Sequence, residues 1–342
     1  MKPEIIRHFI CPRTAQPLRL DGARGDEQAM LEGRLVAENV SYDIHDGIPG
    51  FVSADALESQ TVRSFDQKWD RHRYYRAHTR DFYSRWYRNR YGFLDAKGIA
   101  DFLRDKTFIL DAGTGMGRDA LIFAEHCHAE IFAVDTSRSA LQTAARDIKH
   151  PCITFVQADI AHLPFPDGFF DFINCDQVIH HTPAPKATFD HLAGKLKTGG
   201  QLCCYVYRKK GAIREFTDDY LRDRVKHLPV DEALQVCESI TRLGRSLASL
   251  GVSVEIEEDI PLLGIPKGRQ DVQRLFHWHV MKCFWNDEFD FFTNNIVNFD
   301  WYHPEHCFRF TPEEFRAWFA HGWDIEAWDV QEAGISCRAR KR

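Results

Sequence analysis

Phe108-Ile109-Leu110-Asp111-Ala112-Gly113-Thr114-Gly115-Met116-Gly117-Arg118 decides how this chain is read. An apolar run ends in an acid, three glycines follow at every second position, and a helix-like segment, Asp119 to Glu125, comes next. That order describes a strand, a tight turn and a helix start. Glycine belongs where φ is positive or where a ligand must pass close to the backbone. The helix beyond the turn offers unbonded N–H groups in its first turn. Two further apolar runs repeat the pattern. Ile131-Phe132-Ala133-Val134-Asp135 also ends in an acid, and Ile153-Thr154-Phe155-Val156-Gln157-Ala158 has Asp159 just beyond it. Three such strand ends place their polar groups along one edge of a parallel sheet, where open α/β sheets bind ligands.

The glycine spacing narrows the ligand. A dinucleotide turn has the form G-x-G-x-x-G, and here its last glycine is replaced by Arg118. The form G-x-G-x-G resembles motif I of the class I methyltransferases that use S-adenosylmethionine. Leu163-Pro164-Phe165-Pro166-Asp167-Gly168-Phe169-Phe170-Asp171-Phe172-Ile173 resembles that family's approach to its fourth strand, and Leu196-Lys197-Thr198-Gly199-Gly200-Gln201-Leu202 its turn into the fifth. The resemblance covers about residues 107–207 and resumes near 309. It implies a doubly wound α/β fold with a mostly parallel seven-stranded sheet, and S-adenosylmethionine as cofactor.

The 342 residues leave room for two domains, or for one with a large insertion. A 44% hydrophobic fraction suffices for a core, and a net charge of −6 selects no class of partner. The ten cysteines contain no C-x-x-C pair, so neither a zinc ribbon nor a redox motif is indicated. No signal peptide or membrane span is apparent, and a reducing, cytoplasmic setting is expected. The sequence leaves the oligomeric state open.

Residues 1–55 carry strand alternation and turn residues, as in Tyr42-Asp43-Ile44-His45-Asp46-Gly47-Ile48-Pro49-Gly50-Phe51. This segment resembles the small zinc-ribbon-like modules of some tRNA, rRNA and protein methyltransferases. Of the expected metal cysteines only Cys11 is present, so a metal-free module that stabilises or dimerises the chain is expected. Residues 56–106 read as helical and dense in arginine and aromatics, including Arg71, Arg73, Tyr74, Tyr75, Arg76, Arg80, Tyr83, Arg85, Trp86, Tyr87, Arg88, Arg90 and Tyr91. In similar methyltransferases a helix here covers the cofactor. Its arginines could face a phosphate, an acidic carrier or RNA, but solvated arginines or local ion pairs are the favoured reading. Residues 107–207 and 309–342 make the core, closed by a hairpin over 324–330 and 334–338. Residues 208–308 form a mostly helical, aromatic-rich insertion, read as a lid on the acceptor side.

The resemblance assigns the cofactor site residue by residue. Gly113, Thr114, Gly115 and Gly117 let the backbone pass the methionyl part, and Asp111 organises the ammonium side. Asp135, with Thr136 after it, holds the ribose hydroxyls. Asp159 takes the adenine amino group with the Ile160 amide nearby. Cys175 and Asp176 contact the methionine moiety or open toward the acceptor. The competing reading of each acid is a turn or N-cap residue. His180 and His181, directly after the fourth strand, are candidates for a general base, and Tyr205 ends the fifth strand. His277, His279, Cys283, His303, His306 and Cys307 show no metal-ligand spacing, so packing is the expected role and no metal is assigned.

Three functions follow. The first is methyl transfer to a small-molecule acceptor, phosphorylated or carrier-bound. The second is methylation of RNA or protein, with nucleic acid not favoured. The third is a non-methylating protein that binds S-adenosylmethionine.

Overall fold

A computed structural model describes residues 1–25, 30–72 and 75–342. Arg73 and Tyr74, and the side chains of Tyr75 and Arg76, lie outside the described residues. The chain divides into two compact units. One comprises Met1–Val206, Pro312–Val330 and Ile335–Arg342, and the other Tyr207–Thr311 with Gln331–Gly334.

The first unit opens with an antiparallel meander of β1 (Arg19–Gly25), β2 (Met30–Ala37), β3 (Val40–His45) and β4 (Ile48–Pro49). It does not stand apart from the core. Phe9 packs on Phe132 and Phe165 at ring separations of 6.1 and 5.3 Å. The Phe51 amide donates to the Gln157 carbonyl at 2.7 Å. Among the described residues, no group of three or more histidines, cysteines and acids is arranged to hold a metal ion. The Cys11 thiol instead lies 3.2 Å from the Tyr42 hydroxyl.

Helices α1 (Ala54–Leu57), α2 (Gln60–Arg71), α3 (Tyr75–Arg90) and α4 (Ala96–Leu103) lead to the central sheet. Its elements are β5 (Phe108–Ala112), α5 (Arg118–Ala124), β6 (Glu130–Asp135), α6 (Arg138–Asp147), β7 (Ile153–Gln157), β8 (Phe170–Cys175), α7 (Pro185–Lys195) and β9 (Leu196–Arg208). The strand order from one edge is β7-β6-β5-β8-β9, with neighbours from β7 through β9 parallel. Both faces of such a sheet are covered, which is why its strands read as continuous apolar runs. Ile109, Leu110, Ile131, Phe132, Ala133, Val134, Phe172 and Ile173 are all fully buried. Local signals set the helix starts. The Ser137 hydroxyl accepts the Ala140 amide at 3.2 Å to cap α6, and Pro185 opens α7 at a position where its missing N–H costs nothing.

The second unit contains α8 (Ala212–Val225), α9 (Val230–Ser249), a hairpin of β10 (Ser253–Ile256) and β11 (Gly268–Asp271), α10 (Val272–His279), α11 (Phe291–Tyr302) and β12 (Arg309–Phe310). Its core is Val225, Val230, Ala233, Cys237, Ile240, Cys283, Phe299, Trp301, Tyr302 and Cys307. The mostly helical insertion therefore also carries a two-stranded sheet, whose four-residue strands are too short and too exposed to leave a period in the sequence. The first unit is completed by α12 (Pro312–Ala317), β13 (Trp323–Val330) and β14 (Gly334–Lys341). The last two form the expected antiparallel hairpin and extend the sheet order to β13-β14-β9, seven strands along the path.

Candidate functional site

The strand tips carry the site, and the turn after β5 shapes it. Gly113, Gly115 and Gly117 have φ of 81°, 53° and 76°. At Gly113 a Cβ would stand 2.4 Å from Val178, and at Gly117 2.8 Å from Ile148, so neither place admits a side chain. At Gly115 a Cβ would meet the Trp69 ring at 3.3 Å, so α2 lies against the glycine turn. Asp66 of α2 anchors that approach. It accepts from the Ser137 hydroxyl at 2.8 Å and the Ser139 amide at 3.1 Å, at the start of α6. The Lys68 ammonium sits 3.5 Å above the Trp69 ring and 4.7 Å from that of Phe65.

Asp135 joins two strand ends. One of its oxygens accepts the Gly115 amide at 2.7 Å and the other the Ser137 amide at 2.9 Å. Burial pushes its pKa up, and the two amides and the Lys68 charge work against that. Thr136, half-buried, gives its carbonyl to the Gln157 amide group at 3.0 Å. Asp159 accepts the Ala161 amide at 2.9 Å and lies 3.2 Å from His162 Nδ1, with Ile160 buried beside it. Both acids thus make the turn bonds that the competing reading requires. Each is half-buried rather than sealed.

The other acids are sealed. Asp111 is 2% exposed. It accepts from the Thr114 hydroxyl at 2.5 Å, the Ala120 amide at 3.1 Å and the Asn174 amide group at 2.8 Å. Burial, then the neighbouring Asp119 charge, pushes its pKa up to about 7. Asp119 goes the other way and stays ionised, because Arg118 grips it with two bonds of 2.7 and 3.0 Å. Asp176 accepts from the Arg90 guanidinium, from the Tyr91 hydroxyl at 2.8 Å and from the Gln177 amide group at 3.0 Å, with Arg118 3.6 Å away. Cys175 is fully buried.

Tyr205, His180 and Arg90 converge next to Asp176. The Tyr205 ring is 5.9 Å from His180 and 5.7 Å from Trp86, and the Arg90 guanidinium lies 5.0 Å from it. His181 turns elsewhere, edge-on to Phe65 at 5.0 Å. Burial drives the Tyr205 pKa upward, so its phenol keeps its proton at neutral pH. It can donate a hydrogen bond there but cannot take up a proton.

The sequence analysis named Arg90 and Tyr91 only as members of the basic, aromatic helical segment, without a place in the site, and did not single out Asn174, Asp119 or Trp69. A signal for the first two existed. Tyr83, Tyr87, Arg90 and Tyr91 follow a spacing of i, i+4, i+7 and i+8, one face of α3, and all four are buried. The remaining arginines follow the bland reading where a partner is defined. Arg80 pairs with Glu125 at 2.6 Å on the surface.

With this geometry in place, known proteins supply the comparison. Residues 110–204 match the family model described as a methyltransferase domain. The match makes this stretch similar to a methyltransferase domain. It carries the strand tips described above from Asp111 to Asp176 and ends just before Tyr205. Among curated proteins, an uncharacterized methyltransferase of Schizosaccharomyces pombe is 32% identical over 107 residues, 28% of this chain and 38% of that protein. The uncharacterized methyltransferase YcgJ of Bacillus subtilis is 31% identical over 96 residues, 27% of this chain and 38% of YcgJ. The chain thus spans under two fifths of the length of either relative. The crystal structure of YcgJ aligns with 37% of this chain and 58% of its own, at 25% identity and a TM-score of 0.32. Among the described residues, no helix is long and apolar enough to cross a membrane.

Proposed function

We propose that the chain transfers a methyl group from S-adenosylmethionine to a small-molecule acceptor. The observation that carries this reading is Asp135. Each of its oxygens accepts one backbone amide, and a carboxylate oxygen has a second lone pair. Two acceptor positions therefore remain, one per oxygen, for the two hydroxyls of a ribose. The glycine turn beside it admits no side chain at Gly113 or Gly117. The residues present fit an adenosyl cofactor: Gly113, Gly115 and Gly117 for the methionyl part, Asp135 for the ribose, Asp159 and Ile160 for the base. The bound cofactor supplies a methyl group already activated by the sulfonium charge.

What the protein must add is alignment and the exclusion of water. Holding two reactants in line contributes about 7–11 kcal/mol to the barrier reduction. A general base is not required of an acceptor that is already a nucleophile. Tyr205, held protonated by burial, suits a positioning role. His180 stacks edge-on to it within the same buried cluster. Arg118 speaks against a nicotinamide dinucleotide. It stands where that turn needs its third glycine, and its guanidinium is committed to Asp119.

Acceptor choice is assigned to residues 208–308, which follow β9 directly and lie outside the methyltransferase-domain match. Two experiments test the reading. Calorimetry with S-adenosylhomocysteine and with NADH should show binding of the first only, and tight NADH binding with no response to S-adenosylhomocysteine sinks it. Incubation with methyl-labelled cofactor and a fractionated extract of the source cell should label one small molecule by mass spectrometry. Label found in RNA or protein, or no S-adenosylhomocysteine formed at all, would move the chain to one of the rival functions.

A further inference from the structure

The second unit gathers three cations around two indole rings. Arg214 on α8 is 1% exposed, and it donates to Asp218 and to the His277 carbonyl. Asp218 also accepts Trp301 Nε1 at 2.8 Å, the Tyr302 hydroxyl at 3.0 Å and the Lys282 backbone amide at 2.9 Å. Four donors use the roughly four lone-pair sites of a carboxylate. Asp218 therefore balances Arg214 and has nothing left for a further cation. The nearby acids Glu215 and Asp219 are spent on Arg309, at 2.9 and 2.5 Å.

Two lysines remain. The Lys282 side chain is nine-tenths buried, its ammonium 4.8 Å from the Trp301 ring. It forms no ion pair among the described residues. The Lys210 ammonium lies 5.3 Å from the Trp278 ring and donates only to the carbonyls of Glu332 and Ala333. Arg214 stands between the same two indoles, 5.9 Å from Trp278 and 5.3 Å from Trp301. Aromatic faces attract cations, yet they carry no countercharge. A buried cation without a countercharge is costly.

We propose that Lys282, Lys210 and Arg214, gathered around Trp278 and Trp301, form a binding site for an oxyanion, the phosphate or carboxylate of a small molecule. The arrangement has the parts such a ligand needs: two ammonium groups, a fixed guanidinium and flat apolar walls. Burial, reinforced by Arg214, pulls the Lys282 pKa down to about 8, and burial, with Arg214, Arg208 and Lys282 repelling it, lowers that of Lys210 as well. Asp300, Asp218 and Cys307 partly offset the shift at Lys282. This inference is independent of the methyl donor, since every residue in it lies within one unit.

The test uses the full chain and inorganic phosphate, with acetate as the carboxylate arm and sodium chloride holding ionic strength constant. Phosphate or acetate should raise the thermal midpoint saturably, and the stronger of the two identifies the group. Lys282→Met should weaken that response at least tenfold, while Lys282→Arg keeps it. S-adenosylhomocysteine binding should be unchanged in both. No saturable response to either anion, or an equal response in Lys282→Met, overturns the proposal. A measurement without variants guards against misfolding. Amine-directed acetylation of the wild-type chain, read at Lys282 by peptide mass spectrometry, should slow when the anion is present. Labelling at an unchanged rate overturns the proposal as well.

Discussion

The two halves of the methyltransferase sheet treat their acids differently. At β6 and β7, Asp135 and Asp159 are half-buried and held mainly by backbone amides, of their own turns and, for Asp135, of Gly115 in the turn after β5. At β5 and β8, Asp111 and Asp176 are sealed, and side chains from α3 and α5 or the strands themselves hold them. An acid bound by one amide per oxygen still has acceptor capacity to offer a ligand. An acid enclosed by arginine, tyrosine and asparagine is part of the internal scaffold. Four acids at similar strand tips thus divide into a half-buried pair with acceptor capacity to spare, the pair proposed above to hold the ligand, and a sealed pair held by side chains. Position along the sheet edge does not separate them; their partners do.

The sharpest way to break this division is to remove the partner of a sealed acid. Arg90→Met leaves the Asp176 charge buried with only Tyr91 and Gln177 as donors. Losing one member of a buried ion pair costs about 3–5 kcal/mol, and Arg118 at 3.6 Å should hold the loss near the lower end. Urea unfolding should show it, and Arg90→Met combined with Asp176→Asn should recover part of it. A single-variant loss below about 1 kcal/mol would mean Asp176 is not a scaffold acid.

Asp111 gives a smaller effect, because its carboxyl can escape by keeping its proton. Its folded pKa, about 7, lies above that of an unfolded aspartate. The folded state therefore binds the extra proton, and stability falls as pH rises through the window from about 4 to 7. Asp111→Asn should flatten this slope in a series of thermal midpoints. An unchanged slope would place the titration elsewhere.

The ligand-facing pair should respond in binding rather than stability. Asp135→Ala removes two charge-assisted bonds to ribose hydroxyls, about 1.5–3 kcal/mol each. At least a tenfold loss of S-adenosylhomocysteine affinity follows, since about 1.4 kcal/mol is a factor of ten. Wild-type affinity in a folded Asp135→Ala protein would reduce Asp135 to a turn residue.

Much of this was legible from residue order, and the reasons are local. The runs Phe108–Asp111 and Ile131–Asp135 announce buried parallel strands because both sheet faces are covered. The glycine turn announces its own positive φ. The partners that divide the acids were not legible. Arg90 and Asp176 are 86 residues apart in sequence, and Tyr87 reaches Asn174 across 87. Such pairings are created by the packing of α3 on the sheet, and no period or spacing encodes them. Trp69 is similar. Its composition says aromatic core, and only the fold sets its ring against Gly115.

Asp159 should give the smallest effect, and for a stated reason. One of its oxygens takes the Ala161 amide, and the other faces His162 on the same turn. Its place at the β7 edge suits a single bond to an exocyclic amine, which is a neutral donor. The carboxylate charge makes such a bond charge-assisted, about 1.5–3 kcal/mol, but there is one of it where Asp135 makes two. Asp159→Asn keeps an acceptor oxygen for the Ala161 amide, so the turn survives and the variant isolates the ligand bond. Affinity for S-adenosylhomocysteine should fall by about tenfold, less than for Asp135→Ala, which loses two such bonds. Adenine-free analogues of the ligand should bind both proteins equally. A loss as large as that at Asp135 would place the stronger ligand contact at β7, and no loss at all would leave Asp135 as the sole ligand-facing acid of the sheet edge.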